Sequence, residues 1–273
     1  MKQLPAHPAA PAGTLSRLSL QCIRAWRIVS TVGAVSAAVL WGQTACAQDA
    51  QPLPSSIAPF AAPGASKIQP PWKVEPFPGS ADKKPASFSI ETVDGVAALR
   101  IAADNAYGTL SHPWPDASPG IITWRWRLDQ PLAGTDIETK AGDDNALKVC
   151  TLFDQPLDQI PFLERAALEL ARATTSIPLP AATVCYLWDS YYPAGHTGRN
   201  PYTGRVRYIV LRGPEAPLAH WQNERRDVGA DFEKLFGSES PRVPPMLAVA
   251  VGADSDNTHG SSVAYVAALK WIR

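Results

Sequence analysis

The sequence predicts an all-β chain, an antiparallel jelly-roll-type β-sandwich with one or two short helices in its connections. Three observations carry this. Short runs with period-two alternation recur along the chain, separated by Gly, Pro and Asp. Their spacing suits antiparallel pairing better than βαβ units. One run, "MLAVAVG", is apolar on both faces and so predicts a central strand covered on both sides.

The elements follow in order. Up to Ala47 the chain has four cations (Lys2, Arg17, Arg24, Arg27) and no acid. An apolar stretch of 15 residues, Ile28 to Gly42, comes next, short of the ~20 that a membrane span needs. Ala45-Cys46-Ala47 fits the small-x-small pattern of a signal-peptidase site, so residues 1–47 are expected to be a signal peptide. Residues 48–70, rich in Pro, Ala and Ser, are expected to be a flexible linker. Residues 71–273 are expected to form a single sandwich domain without a membrane span, placing the mature protein in the periplasm or outside the cell.

Nine runs read as strands: "SFSIET", "VAALRIAA", "IITWRWRL", "ALKVCTLF", "ATVCYLW", "RVRYIVLR", "HWQNERRDV", "MLAVAVG" and "VAYVAALKWI". In "ITWRWRL" alternation sends Ile122, Trp124, Trp126 and Leu128 to one face, as core, and Arg125 and Arg127 to the other. "PFLERAALELARATT" reads as a helix with Leu163, Ala167 and Leu170 on its apolar stripe. "GADFEKLFG" reads as a second, two-turn helix closed by Gly237.

From Gln48 onward 21 Lys and Arg face 25 Asp and Glu, a balance that gives no reason to expect a nucleic-acid partner. Two cysteines remain there, Cys150 and Cys185. Each lies on the less bulky face of its strand, so neighbouring strands with aligned faces would bring the sulfurs together. A disulfide and two buried thiols are both open at this level.

Among the described motifs of enzymes, G-x-S-x-G, the P-loop, H-E-x-x-H and the dinucleotide fingerprint are all missing from the sequence. The acids do cluster. "AGDDNA" supplies Asp143 and Asp144 before a strand, and "GADSDNT" supplies Asp254 and Asp256 after one. These four are the candidate catalytic carboxylates, since paired acids can act on glycosides. Asp254 and Asp256 are also the candidate ligands of a Ca²⁺ ion, the one cofactor the sequence suggests. Turn bonding alone is the third reading. For it we expect one of this pair to bond backbone N–H groups of its own turn while the other faces an arginine or a weakly held Ca²⁺. Exposed aromatics beside amides and guanidinium groups suit sugar rings, and nominate Tyr191, Tyr192, Asn200 and Tyr202, with the Arg125 and Arg127 face as a further ligand surface.

The motifs in this order resemble a bacterial family known as domain of unknown function 3047. The matching pieces are "ITWRWRL", "KAGDDNALKVCTLFD", "TVCYLWDS", "NPYTGRVRYIVLRG", "WQNERRDVGADFEKLFG" and "VAVGADSDNTHGSSVAYVAALKW", roughly residues 86–273. Asn145 stands where the family pattern has an aromatic, and Asp227 where it has Asn. The resemblance implies a secreted or periplasmic jelly roll similar in outline to carbohydrate-binding modules, and implies no activity. The expected function is glycan binding without turnover. The alternatives are a glycan-active hydrolase or lyase using the Asp carboxylates, and an envelope structural or partner-binding protein.

Overall fold

The computed structural model describes residues 56–75, 83–117, 120–175 and 178–272. The expected signal peptide lies outside them. Twelve strands and two α-helices follow in chain order: β1 (Lys73–Glu75), β2 (Ser87–Val93), β3 (Val96–Asp104), β4 (Tyr107–Ala117), β5 (Ile121–Gln130), β6 (Asn145–Phe153), α1 (Phe162–Thr174), β7 (Ala182–Trp188), β8 (Thr197–Arg199), β9 (Val206–Arg212), β10 (Gln222–Asp227), α2 (Val228–Phe236), β11 (Met246–Asp254) and β12 (Ser261–Ile272). They form the expected jelly-roll-type sandwich. One sheet has the order β1-β4-β11-β6-β7-β9-β8, the other β10-β5-β12-β3-β2. Every pairing is antiparallel except β7 with β9.

Aromatic side chains fill the space between the sheets. Trp126 meets Trp188 with ring centroids 5.7 Å apart, and Trp124 meets Tyr186 at 5.3 Å. These are the inward residues that alternation picked out on β5 and β7, and all four are buried. Large rings bury the most area per residue, so this cross-sheet cluster is the main apolar anchor of the fold. β11 lies centrally between β4 and β6, with Val249 and Val251 in the core and Ala250 under a smaller cluster on the outer face.

Three expectations need correction. β4 carries Pro113 and was not among the expected strands. The structure accommodates the proline because β1 pairs only with Thr109 to Ser111, leaving Pro113 without a neighbour on that side, and β11 shifts register opposite it. The expected linker packs against the sandwich over its described residues, 56–70. Ile57 and Phe60 are buried in the main core, the Ala58 amide donates to His112 Nε2 at 2.9 Å, and Trp72 Nε1 donates to the Ala58 carbonyl at 2.8 Å. A Pro/Ala-rich composition predicts a tether only where it holds no apolar anchors, and here it holds two.

The third correction concerns α1. Its expected apolar stripe faces solvent: Leu163 is 79% exposed and Leu170 68%. The inward stripe is Glu164, Leu168 and Arg172, at the i, i+4, i+8 spacing, with Leu168 buried and the other two half-buried. Glu164 accepts from Arg205 Nε at 2.7 Å, Leu168 packs with Ile160 and Ala181, and Arg172 donates to the Leu179 carbonyl. Arg205 is buried and paired with both Glu164 and Glu239, and holding a buried guanidinium between carboxylates outweighs leaving two leucines exposed. The second helix behaves as expected. Asp227 caps it through the Ala230 amide, and Val228, Phe232 and Phe236 form its buried stripe. Gly237 closes it in a right-handed conformation.

Candidate functional site

β11 ends at Asp254 and the chain turns through Ser255 to Gly260 into β12. The acid that holds this turn comes from elsewhere. Asp144, buried just before β6, accepts from the Asn257 amide at 3.1 Å, the Thr258 amide at 2.7 Å and Thr258 Oγ1 at 2.6 Å. Asn257 Nδ2 donates back to the carbonyls of Lys140 and Asp143. The expectation that Asp254 or Asp256 would bond its own turn is therefore corrected: the two acid motifs are one structure, stitched across the ends of β6 and β11.

Asp254 and Asp256 face lysines rather than arginines. Lys83 Nζ lies 2.5 Å from Asp256 Oδ2, and Lys148 Nζ lies 3.9 Å from Asp254 Oδ2. Arg127 is engaged with Asp94 and Asp129, and Arg226 with Asp231. Burial pushes the Asp254 carboxyl up to about 7, and the charges of Asp256, Asp144 and Asp143 push it the same way against Lys148. Burial also raises Asp143, which Lys148 and the hydrogen bond from Asn200 partly offset. Lys148 stays a firm cation, since Tyr107, Asp254, Asp143 and Asp144 more than offset its desolvation.

Asp144, Asp254 and Asp256 can each place a carboxylate oxygen within 4.8 Å of the others, the donor chemistry of a hard cation. Both Asp144 oxygens already accept N–H or O–H groups, and Lys83 holds Asp256. A calcium ion would have to displace these bonds to complete a shell of six to eight oxygens.

Beside this cluster, on the outer face of the seven-stranded sheet, lies a pocket of about 520 Å³. Its walls include Glu138, Arg199, Asn200, Tyr202, Thr203 and Tyr208. The nearby floor is tied by the Cys150–Cys185 disulfide, which joins residues facing each other on β6 and β7, with Tyr208 next in register on β9. The Tyr208 ring lies over Gly198 of β8, where an added Cβ would come within 2.4 Å of its hydroxyl oxygen. Tyr208 is 3% exposed, and its hydroxyl has no hydrogen-bond partner among the described residues. Burial, followed by the charges of Glu138, Asp189, Asp143 and Asp136, raises its pKa well above the usual tyrosine value. The group is thereby held protonated, as a hydrogen-bond donor.

Asn200 connects pocket and acid cluster. Its Nδ2 donates to Asp143 Oδ2 at 2.5 Å, while its Oδ1 accepts from the Tyr202 and Thr203 amides. Tyr202 donates to the Lys140 carbonyl and leaves its ring 59% exposed. Tyr192 stacks on His196 at 4.1 Å, and His196 Nε2 meets Glu138 Oε1 at 3.1 Å. Tyr191 packs edge-on against Tyr192 and is exposed. Of the residues nominated from sequence, Asn200 and Tyr202 thus line the pocket, and Tyr191 and Tyr192 continue its aromatic rim. Arg125 and Arg127 sit on the outer face of the other sheet, away from it. Sequence reasoning missed Tyr208 and Glu138. The one available signal was a tyrosine on the outward face of "RVRYIVLR", in phase with Val206 and Val210.

The family described as "Protein of unknown function (DUF3047)" matches residues 70–270. No curated protein matches the chain. Among solved structures, similar ones include the xyloglucanase domain of NopAA from Sinorhizobium fredii, crystallised with cellobiose (TM-score 0.40, 10% identity, covering 77% of this chain and 99% of that one). Endoglucanase Cel12A from Rhodothermus marinus follows with TM-score 0.38 and 12% identity, covering 72% and 94%. A family 12 xyloglucanase from Bacillus licheniformis has TM-score 0.36 and 9% identity, covering 73% and 98%. None of these likenesses places a residue of the site.

Proposed function

This chain belongs to the DUF3047 family, and we propose that it binds a glycan in the pocket beside β8 and β9 without turning it over. The observation that carries the reading is Tyr208: a buried hydroxyl with no partner, held as a donor, in the wall of a pocket. An unmet buried polar group costs about 1–3 kcal/mol, and a ligand oxygen would recover much of that. The exposed Tyr202 ring offers a stacking surface for a sugar, and Glu138 and Arg199 offer hydrogen-bonding groups beside it.

Hydrolysis is the second reading, favoured by one observation. Asp254, raised to about 7 and with Oδ1 unbonded, has the character of a general acid. Glycoside chemistry takes two carboxylates, however. Of the other three nominated acids, Asp144 holds the turn, Asp256 is paired with Lys83, and Asp143 is held by Asn200. That accounting favours binding. Calorimetric titration of cello-, xylo- and manno-oligosaccharides, run beside a reducing-end assay, tests both. Binding weakened roughly tenfold by Tyr208→Phe, with no new reducing ends, supports the proposal. Reducing ends released by the parent and lost in Asp254→Asn would replace it with hydrolysis.

We infer export as well, on the disulfide and the basic, apolar leader. Intact-mass analysis is expected to show a mature chain starting near Gln48, and a full-length membrane-bound product would reject export.

A further inference from the structure

We propose that the outer face of the five-stranded sheet is a second ligand surface, which docks an anionic polysaccharide independently of the pocket. The proposal rests on the pattern of charges across β10, β5 and β12. Register places Arg225, Thr123 and Lys270 side by side on three neighbouring strands, and Asn223, Arg125 and Ala267 in the next row. Alternation sends all of these outward, because Ile122, Trp124 and Trp126 point into the core.

The cations on this face divide into two groups. Arg127 is paired with Asp94 and Asp129, and Arg100 with Glu91. Arg125, Arg225 and Lys270 have no carboxylate within 4.0 Å among the described residues. Arg125 is half-buried and stacks on Trp221, its guanidinium carbon 5.2 Å from the ring centroid. Its Nε–H is buried without an acceptor among the described residues, and so is the indole N–H of Trp221. A buried guanidinium donor and an indole N–H, both unmet and beside two free cations, are the chemistry that receives a carboxylate or sulfate oxygen.

The same pattern favours a polysaccharide over other polyanions. Thr123 and Asn223 interleave the cations with groups that bond sugar hydroxyls. Arg225 and Lys270 are two strand spacings apart, about 9.6 Å, close to the repeat of a disaccharide in an extended chain.

The test is retention of the mature protein by polygalacturonate in affinity electrophoresis. Its carboxyl-reduced, neutral form and phosphatidylglycerol vesicles are run alongside. Retention by polygalacturonate that falls with salt, vanishes on the neutral form and weakens roughly tenfold in Arg125→Gln is expected. Arg225→Gln with Lys270→Gln, both at exposed positions, gives the same result should Arg125→Gln fail to fold. Absence of retention, retention unchanged in these variants, or equal binding to the vesicles overturns the proposal. Neutral oligosaccharides are titrated on the same preparations: their loss alone rejects the pocket reading and leaves this one standing.

Discussion

The loop end of the seven-stranded sheet and the outer face of the five-stranded sheet are both rich in charge, yet they are built differently. At the loop end, polar groups find partners far away in sequence: Asp144 holds residues 257 and 258, Asn200 holds Asp143, and Tyr192 holds Asp136. On the sheet face, Arg127 with Asp129 and Arg100 with Glu91 join near neighbours in sequence or strand register, and Arg127 with Asp94 reaches further. The contrast teaches that the first region is a buried network whose members depend on one another, while the second is a set of nearly independent surface groups.

The largest test of that contrast is the disulfide. It closes a sequence separation of 35 residues beneath the loop end, worth roughly 3.5–4 kcal/mol in the chain-entropy model. Cys150→Ser with Cys185→Ser is expected to lose about that much in urea unfolding. Next comes Asp144→Ala, which leaves two backbone amides and a hydroxyl without their charged acceptor and is expected to cost about 3 kcal/mol. If it costs no more than Asp256→Ala, the turn is not held from across the sheet and the network description fails.

A smaller effect should appear with pH. The folded pKa of Asp254 is raised to about 7 from an ordinary 3.8, so the folded state holds a proton that the unfolded chain has lost. This stabilising contribution is full below about pH 4 and is lost as pH rises through about 7. Asp143, also raised, acts in the same direction. Asp254→Asn should therefore flatten the fall in melting temperature between pH 5 and pH 8, gaining about 3 °C at the upper end. A variant whose melting profile parallels that of the parent would place the proton elsewhere.

The smallest effect belongs to the sheet face. Arg100→Ala removes a partly exposed pair at 3.6 Å and is expected to cost about 0.5 kcal/mol or less. A cost comparable to that of Asp144→Ala would show that the two regions are coupled alike, and would erase the distinction.

Local pattern alone determined a good deal of this protein. Alternation picked out the inward face of β5, including both of its core tryptophans, because a strand's side-chain period is two whatever it pairs with. The same period set Cys150 and Cys185 on matching faces. Helical periodicity located α1, and Gly237 the end of α2, to within a residue or two. Tertiary structure decided the rest. Which face of α1 is buried depended on Arg205, more than thirty residues beyond the helix, needing Glu164. Whether Pro113 could sit in a strand depended on β1 stopping short of it. Which acid holds the "GADSDNT" turn depended on β6 lying beside β11, and Tyr208 became a pocket wall only when β8 brought Gly198 beneath its ring. Periodicity is a property of a few consecutive residues and survives in the linear chain. Charge pairing, turn bonding and pocket formation are properties of groups that only the fold brings within hydrogen-bond distance.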